Sequence, residues 1–158
     1  MTKLAPGDTA PDFTLPRDGG GTLKLADLRG KAVVLFFYPR DDTSGCTAEA
    51  IAFSGLKDEF AKAGAVIVGM SADSQKSHDK FKAKHNLSVD LVADEEKQAL
   101  EAYGVWAQKS MYGRKFMGIV RTTFLIDSGG KIAAVWPNVK VPRHAEAVLE
   151  AVRSLAKS

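Results

Sequence analysis

The sequence predicts an α/β fold: a central mixed β-sheet flanked by helices, with a β-hairpin near its N-terminal end. Two patterns carry this expectation. Short apolar runs of strand length alternate with segments of helical periodicity, as parallel strands joined by crossover helices do. A strong turn, Asp127-Ser128-Gly129-Gly130, joins two late apolar runs and adds an antiparallel pair to that sheet.

The Gly19-Gly20-Gly21 turn separates the apolar pieces Phe13-Thr14-Leu15 and Leu23-Lys24-Leu25, so a small hairpin is expected there. Residues 32–38 are continuously apolar and rich in β-branched and aromatic side chains, the pattern of a central strand buried on both faces. Pro39 cannot donate to a sheet ladder and ends the run. Over residues 45–63, Phe53, Leu56 and Phe60 recur at three- and four-residue spacing, predicting one helix that stops at Gly64. A second strand follows at 65–69. Ser71-Ala72-Asp73-Ser74 can cap the next helix, which carries Phe81 and ends near Asn86. A short third strand is expected at 89–92. Asp94-Glu95-Glu96 suits the positive end of a further helix, which Tyr103-Gly104 closes. Residues 122–126 read as a strand, paired through the late turn with 132–136. After Pro142, Val148, Leu149, Val152 and Leu155 mark an amphipathic terminal helix.

With 158 residues and no break in composition, the chain is expected to form a single domain over residues 1–158. Its 22 basic and 19 acidic residues give a formal charge of +3, and the basic residues are scattered rather than clustered. That pattern argues against a nucleic-acid partner. No stretch approaches the ~20 apolar residues of a membrane span, and the first residues lack the apolar core of a secretion signal. One cysteine cannot form an internal disulfide, so a reducing compartment, the cytoplasm, is expected.

That cysteine carries the chemistry. A lone cysteine is often a small apolar core residue. Cys46, however, lies in Tyr38-Pro39-Arg40-Asp41-Asp42-Thr43-Ser44-Gly45-Cys46-Thr47-Ala48-Glu49, between the C-terminal end of the central strand and the first turn of a helix. Ligands gather at such places in α/β sheets. The unpaired N–H groups and positive dipole end of the helix favour thiolate over thiol. Thr43 can turn its hydroxyl toward the same pocket, and Gly45 allows close backbone approach beside the sulfur. Arg121 sits in the otherwise apolar run at 118–126, where a permanent charge needs a partner or a site to serve.

Pro39-x-x-x-Thr43-x-x-Cys46 resembles the active-site signature of peroxiredoxins. Tyr-Pro-x-Asp-Asp-Thr ahead of Gly-Cys-Thr is similar to the peroxiredoxin Q branch, that of the bacterioferritin comigratory proteins. The likeness extends to Pro-Gly-Asp-x-Ala-Pro-Asp-Phe at 6–13, Tyr103-Gly104-Val105-Trp106 and Phe124-Leu125-Ile126-Asp127. It implies a thioredoxin-like fold and a thiol peroxidase acting on hydrogen peroxide and organic hydroperoxides. By the same resemblance Cys46 attacks the peroxide, Pro39 shields the pocket, Thr43 bonds the peroxide, and Arg121 activates thiolate and substrate. Glu49 orients that arginine. The resemblance implies no cofactor, and a monomer by default, with a weak homodimer as the alternative.

The departures from that pattern shape the expected cycle. Where many members of the branch carry a resolving cysteine, five residues after the first or on the next helix, this chain has Ile51 and Lys82. A one-cysteine cycle follows: Cys46 becomes a sulfenic acid that an external thiol reduces, with thioredoxin, glutaredoxin or glutathione as candidate donors.

Other chemistries fit less well. A dithiol oxidoreductase needs Cys-x-x-Cys, and the third residue after Cys46 is Glu49. A cysteine phosphatase would place an arginine where Ala52 stands, and a cysteine hydrolase needs a histidine base, none of which is near Cys46 in sequence. His78 and His85 are roughly 10 Å apart along a helix, too far to share an ion, and His144 is isolated, so no metal site is expected. Trp106 and Trp136 read as packing residues, Trp136 a candidate for the pocket's border. The alternative function is a thioredoxin-like redox sensor, or a holdase or binding domain, with a regulatory thiol.

Overall fold

The computed structural model describes residues 2–157. Its first elements are the expected hairpin, β1 (Thr14–Pro16) against β2 (Thr22–Lys24), with Leu15 opposite Leu23 and both buried. The central strand is β3 (Ala32–Phe37). Helices α1 (Ser44–Gly55) and α2 (Lys57–Lys62) lead to β4 (Ala65–Ser71). Next come α3 (Gln75–His85), β5 (Asp90–Ala93) and the short α4 (Gln98–Ala102). The chain continues through β6 (Trp106–Met111), β7 (Arg114–Ile119), β8 (Thr122–Ile126) and β9 (Ile132–Trp136) to α5 (His144–Ala156).

Five strands form the central sheet in the order β5-β4-β3-β8-β9. β3, β4 and β5 run parallel, whereas β8 and β9 run antiparallel to their neighbours, so the sheet is mixed as expected. Successive strand side chains point to opposite faces. Val33, Leu35 and Phe37 therefore join the core under the N-terminal hairpin, α4 and Tyr103. Val34, Phe36 and Tyr38 join the core beneath α1, α2, α3 and α5. Two cores, one on each face, explain why β3 is apolar at every position. No helix among the described residues is long and apolar enough to cross a membrane.

Two expectations need correction. The helix expected over 45–63 is two helices. The chain leaves helical geometry at Leu56 (φ −106°, ψ 7°), just after Gly55, a poor helix former. The bend lets Phe60 of α2 approach Phe53 of α1, ring centres 5.9 Å apart. The acidic triplet at 94–96 does not begin a helix. Asp94 is buried, and its carboxylate accepts from the backbone N–H groups of Gln98 (3.0 Å) and Leu100 (2.8 Å), so it anchors the first turn of α4 from outside. The strand expected at 122–126 is β8; the apolar residues just ahead of it are the end of β7 and a break at Val120 and Arg121, and β6 and β7 pair only with each other in a separate two-stranded ribbon.

Candidate active site

Three chain segments meet around Cys46. The cysteine lies in the first turn of α1, whose N-cap residue is Thr43, and is 1% exposed. Glu49, three residues on, shares its helix face and is equally buried. Arg121 enters from the break between β7 and β8. Its backbone is pinned on both sides: Val120 N–H donates to the Val105 carbonyl (2.8 Å), and Val139 N–H donates to the Arg121 carbonyl (2.9 Å).

The guanidinium spans the two buried groups of α1. Nη2 donates toward Cys46 Sγ at 3.4 Å, and Nη1 donates to Glu49 Oε1 at 2.7 Å. Burial works against the Arg121 charge, but the negative charge of Cys46 and Glu49 outweighs it and holds the guanidinium above its usual range. Gly45 has a specific reason to lack a side chain. A Cβ there would meet Arg121 Nη2 at 3.1 Å, so the glycine makes room for the guanidinium beside the sulfur.

Glu49 is under strain of a different kind. Burial pushes its carboxyl up to about 7, in spite of the opposing charge and hydrogen bond of Arg121. Its Oε2 is buried and has no hydrogen-bond partner among the described residues. An ionised carboxylate with one oxygen unsolvated is costly, which is the physical content of the shift.

The structure thus brings Cys46, Gly45, Glu49 and Arg121 together. Thr43 is placed differently from expectation: its exposed side chain donates to the Arg40 carbonyl at 3.0 Å. Pro39 is half-buried, directly after Tyr38.

Behind the loop at 39–43 lies a polar cluster for which the sequence offered little signal. Asp41 is buried and accepts from Tyr38 Oη (2.7 Å) and Ser77 Oγ (2.7 Å), and pairs with His78 Nδ1 (2.8 Å). His78 Nε2 contacts the Val92 carbonyl at 2.8 Å, so both ring nitrogens face acceptors. Burial opposes charge on His78, but the hydrogen bond and charge of Asp41 prevail and raise its pKa. Asp41 N–H also donates to Asp73 (2.8 Å). These bonds tie α3 to the loop that leads into Cys46. On the other flank, His144 is not isolated. Its Nε2 lies 2.8 Å from Thr123 Oγ1, and its ring packs perpendicular to those of Phe53 and Trp136, centres 5.9 Å away in each case. The adjacent Asp41-Asp42 pair was the only sequence hint of the first cluster, and nothing distinguished His144 from a surface histidine.

The sequence matches the AhpC/TSA family over residues 6–135. It is 46% identical over 151 residues to the peroxiredoxin Bcp of Bacillus subtilis, covering 96% of both chains. The chain belongs to the AhpC/TSA family, as a peroxiredoxin of the Bcp type. Solved structures agree. A PrxQ cysteine-to-serine mutant from Xylella fastidiosa superposes with a TM-score of 0.93 at 36% identity over 99% of both chains. The Xanthomonas campestris bacterioferritin comigratory protein, described for its alkyl peroxide reduction activity, gives 0.89 at 40% identity, again over 99% of both. The fold is thioredoxin-like. This peroxiredoxin has one cysteine. At the two positions where members of the branch carry a resolving cysteine, Ile51 stands exposed on α1, and Lys82 pairs with Asp18 at 2.8 Å.

Proposed function

We propose that the chain is a one-cysteine thiol peroxidase that reduces hydrogen peroxide and organic hydroperoxides at Cys46. The observation that carries this reading is the 3.4 Å approach of Arg121 Nη2 to the sulfur of the buried Cys46 at a helix start. The thiolate attacks one peroxide oxygen, the O–O bond breaks, and the other oxygen leaves as hydroxide or alkoxide and takes a proton. Arg121 supports the thiolate and the charge that spreads over the two oxygens. Glu49 holds the guanidinium from its far side. Thr43, whose hydroxyl proton is engaged with Arg40, accepts the peroxide O–H, and Pro39 shields the pocket from water.

The product is a Cys46 sulfenic acid. An external thiol then attacks its sulfur, water leaves, and a mixed disulfide forms that a second thiol releases. Because the cysteine is 1% exposed, a donor as large as a protein reaches the sulfur only when the first turn of α1 opens. Thioredoxin, glutaredoxin and glutathione are the candidate donors, in a monomer of the cytoplasm.

The test is steady-state peroxide consumption with thioredoxin and its reductase, repeated with glutathione plus glutaredoxin. Sustained turnover with either donor supports the reading and names the donor. A single stoichiometric burst with both would turn the assignment toward a sensor.

A further inference from the structure

The ribbon of β6 and β7 stands outside the central sheet, and its register decides which side chains face the site. Directly paired residues share a face. Ala107 with Gly118, Lys109 with Phe116, and Met111 with Arg114 therefore project to one side. On that side the Lys109 stem lies over Gly118: a Cβ at Gly118 would meet Lys109 Cδ at 3.0 Å. The ammonium continues past the glycine and donates to the Ile119 carbonyl at 2.7 Å. Ile119 is the last residue of β7, and Arg121 follows two residues later.

Lys109 is half-buried although it lies on an otherwise mostly exposed ribbon. Burial draws it below the usual lysine range, the Arg121 charge adds to that, and the Cys46 charge opposes it. The ammonium thus ends at the carbonyl two residues ahead of Arg121. The charged groups around it are Arg121, from the segment ahead of β8, and Cys46, from α1. Beyond the guanidinium lie Glu49 on α1 and His144 on α5.

We propose that Lys109 is a positioning residue of the peroxide site: it tethers the Ile119 carbonyl that precedes Arg121 and adds a second positive charge on the Arg121 side of the site. The tether fixes where the chain leaves β7, and hence the direction from which the guanidinium approaches the sulfur. The charge keeps Arg121 turned toward Cys46 and Glu49, since two cations repel and the two acidic groups attract. The same charge favours the thiolate. This role rests on the peroxidase reading and identifies a residue on an element that the motif around Cys46 does not include.

The experiment is the second-order rate of Cys46 oxidation by hydrogen peroxide, followed across pH in the full chain without any thiol donor. Wild type is compared with Lys109→Met and Lys109→Arg. Methionine keeps an apolar stem over Gly118 but removes the ammonium, and arginine keeps the charge. The expected result is a roughly tenfold slower reaction in K109M, a pH–rate profile displaced to higher pH, and a wild-type profile in K109R. An unchanged rate in K109M overturns the proposal, as does a slower rate with an unmoved pH profile, which would mean that Lys109 only supports the ribbon. Should K109M fail to fold, Lys109→Gln, uncharged but still a hydrogen-bond donor, takes its place with the same expected and opposing outcomes. A wild-type chain that does not react with peroxide at all would remove the peroxidase reading, and this inference with it.

Discussion

Arg121 and Cys46 lie 75 positions apart in sequence, yet the guanidinium Nη2 sits 3.4 Å from the sulfur. Neither residue could be held there by its own element alone. The arginine stands in a two-residue break between strands, held by backbone hydrogen bonds to Val105 and Val139. The cysteine stands in the first turn of a helix whose second residue, Gly45, leaves room for the guanidinium. Five expected outcomes follow from this arrangement and its surroundings.

Replacing Cys46 by serine should abolish peroxide turnover with every thiol donor, because an alkoxide is scarcely formed near neutral pH. Retained turnover would place the chemistry elsewhere. Replacing Arg121 by methionine should slow peroxide attack by about a hundredfold, the usual effect of deleting one preorganised donor to developing charge. Stopped-flow oxidation of the single thiol measures it, and a rate within twofold of wild type would relegate the arginine to a structural role.

The Glu49 carboxyl, raised from its ordinary 4.5 to about 7, sets a pH dependence of stability. The folded chain binds this proton more tightly than the unfolded chain. The contribution is therefore fully present below about pH 4.5 and is lost as pH rises through 7. Urea unfolding of wild type and Glu49→Gln between pH 5 and pH 8 should show wild type losing stability relative to the variant as pH rises. Parallel curves would mean that the carboxylate stays ionised in its pair with Arg121.

His144 works in the opposite sense. Burial, with a smaller effect of the Arg121 charge, lowers it from 6.5 to about 4. The unfolded chain takes up the proton first as pH falls. The neutral imidazole thus contributes stability above pH 6.5 that is lost as pH falls through 4. His144→Gln should flatten the acid limb of the stability curve. If the variant and wild type lose stability in step below pH 6, the histidine is not buried in its neutral form.

The cluster around Asp41 should respond in graded steps. Asp41→Asn leaves His78 buried beside a neutral partner, at a cost of about 3 kcal/mol. Tyr38→Phe removes one hydrogen bond to a carboxylate that keeps its other partners, at a cost of about 1 kcal/mol. Equal effects of the two, measured by chemical denaturation, would argue that the cluster is not built around the carboxylate.

Much of the architecture was legible because it rests on local patterns. The continuous apolar run at 32–38 could only be a strand covered on both sides, and β3 is that strand. The glycine-rich turns marked both hairpins that they close, and α5 showed its apolar stripe. The β6–β7 ribbon was not legible. Its residues Gln108 to Met117 are mostly exposed and mix polar with apolar, so no periodicity marks a buried face. The extent of α1 was overstated because the spacing of Phe53, Leu56 and Phe60 continues through the bend at Leu56.

The same division runs through the site. By itself the sequence singled out Cys46, the helix start that carries it, and the count of one thiol, because each of these is a property of neighbouring residues or of a count. It also singled out Arg121, as a charge in an apolar run. Only the tertiary structure decided that this charge points at the sulfur, that Gly45 is small for the guanidinium's sake, and that Glu49 is buried with one oxygen unpaired. It alone revealed Lys109 beside the pair and the Asp41–His78 cluster behind the loop. These are relations between side chains on separate elements, set by strand register and chain reversals, and hydrophobic periodicity reports only which face of an element is covered.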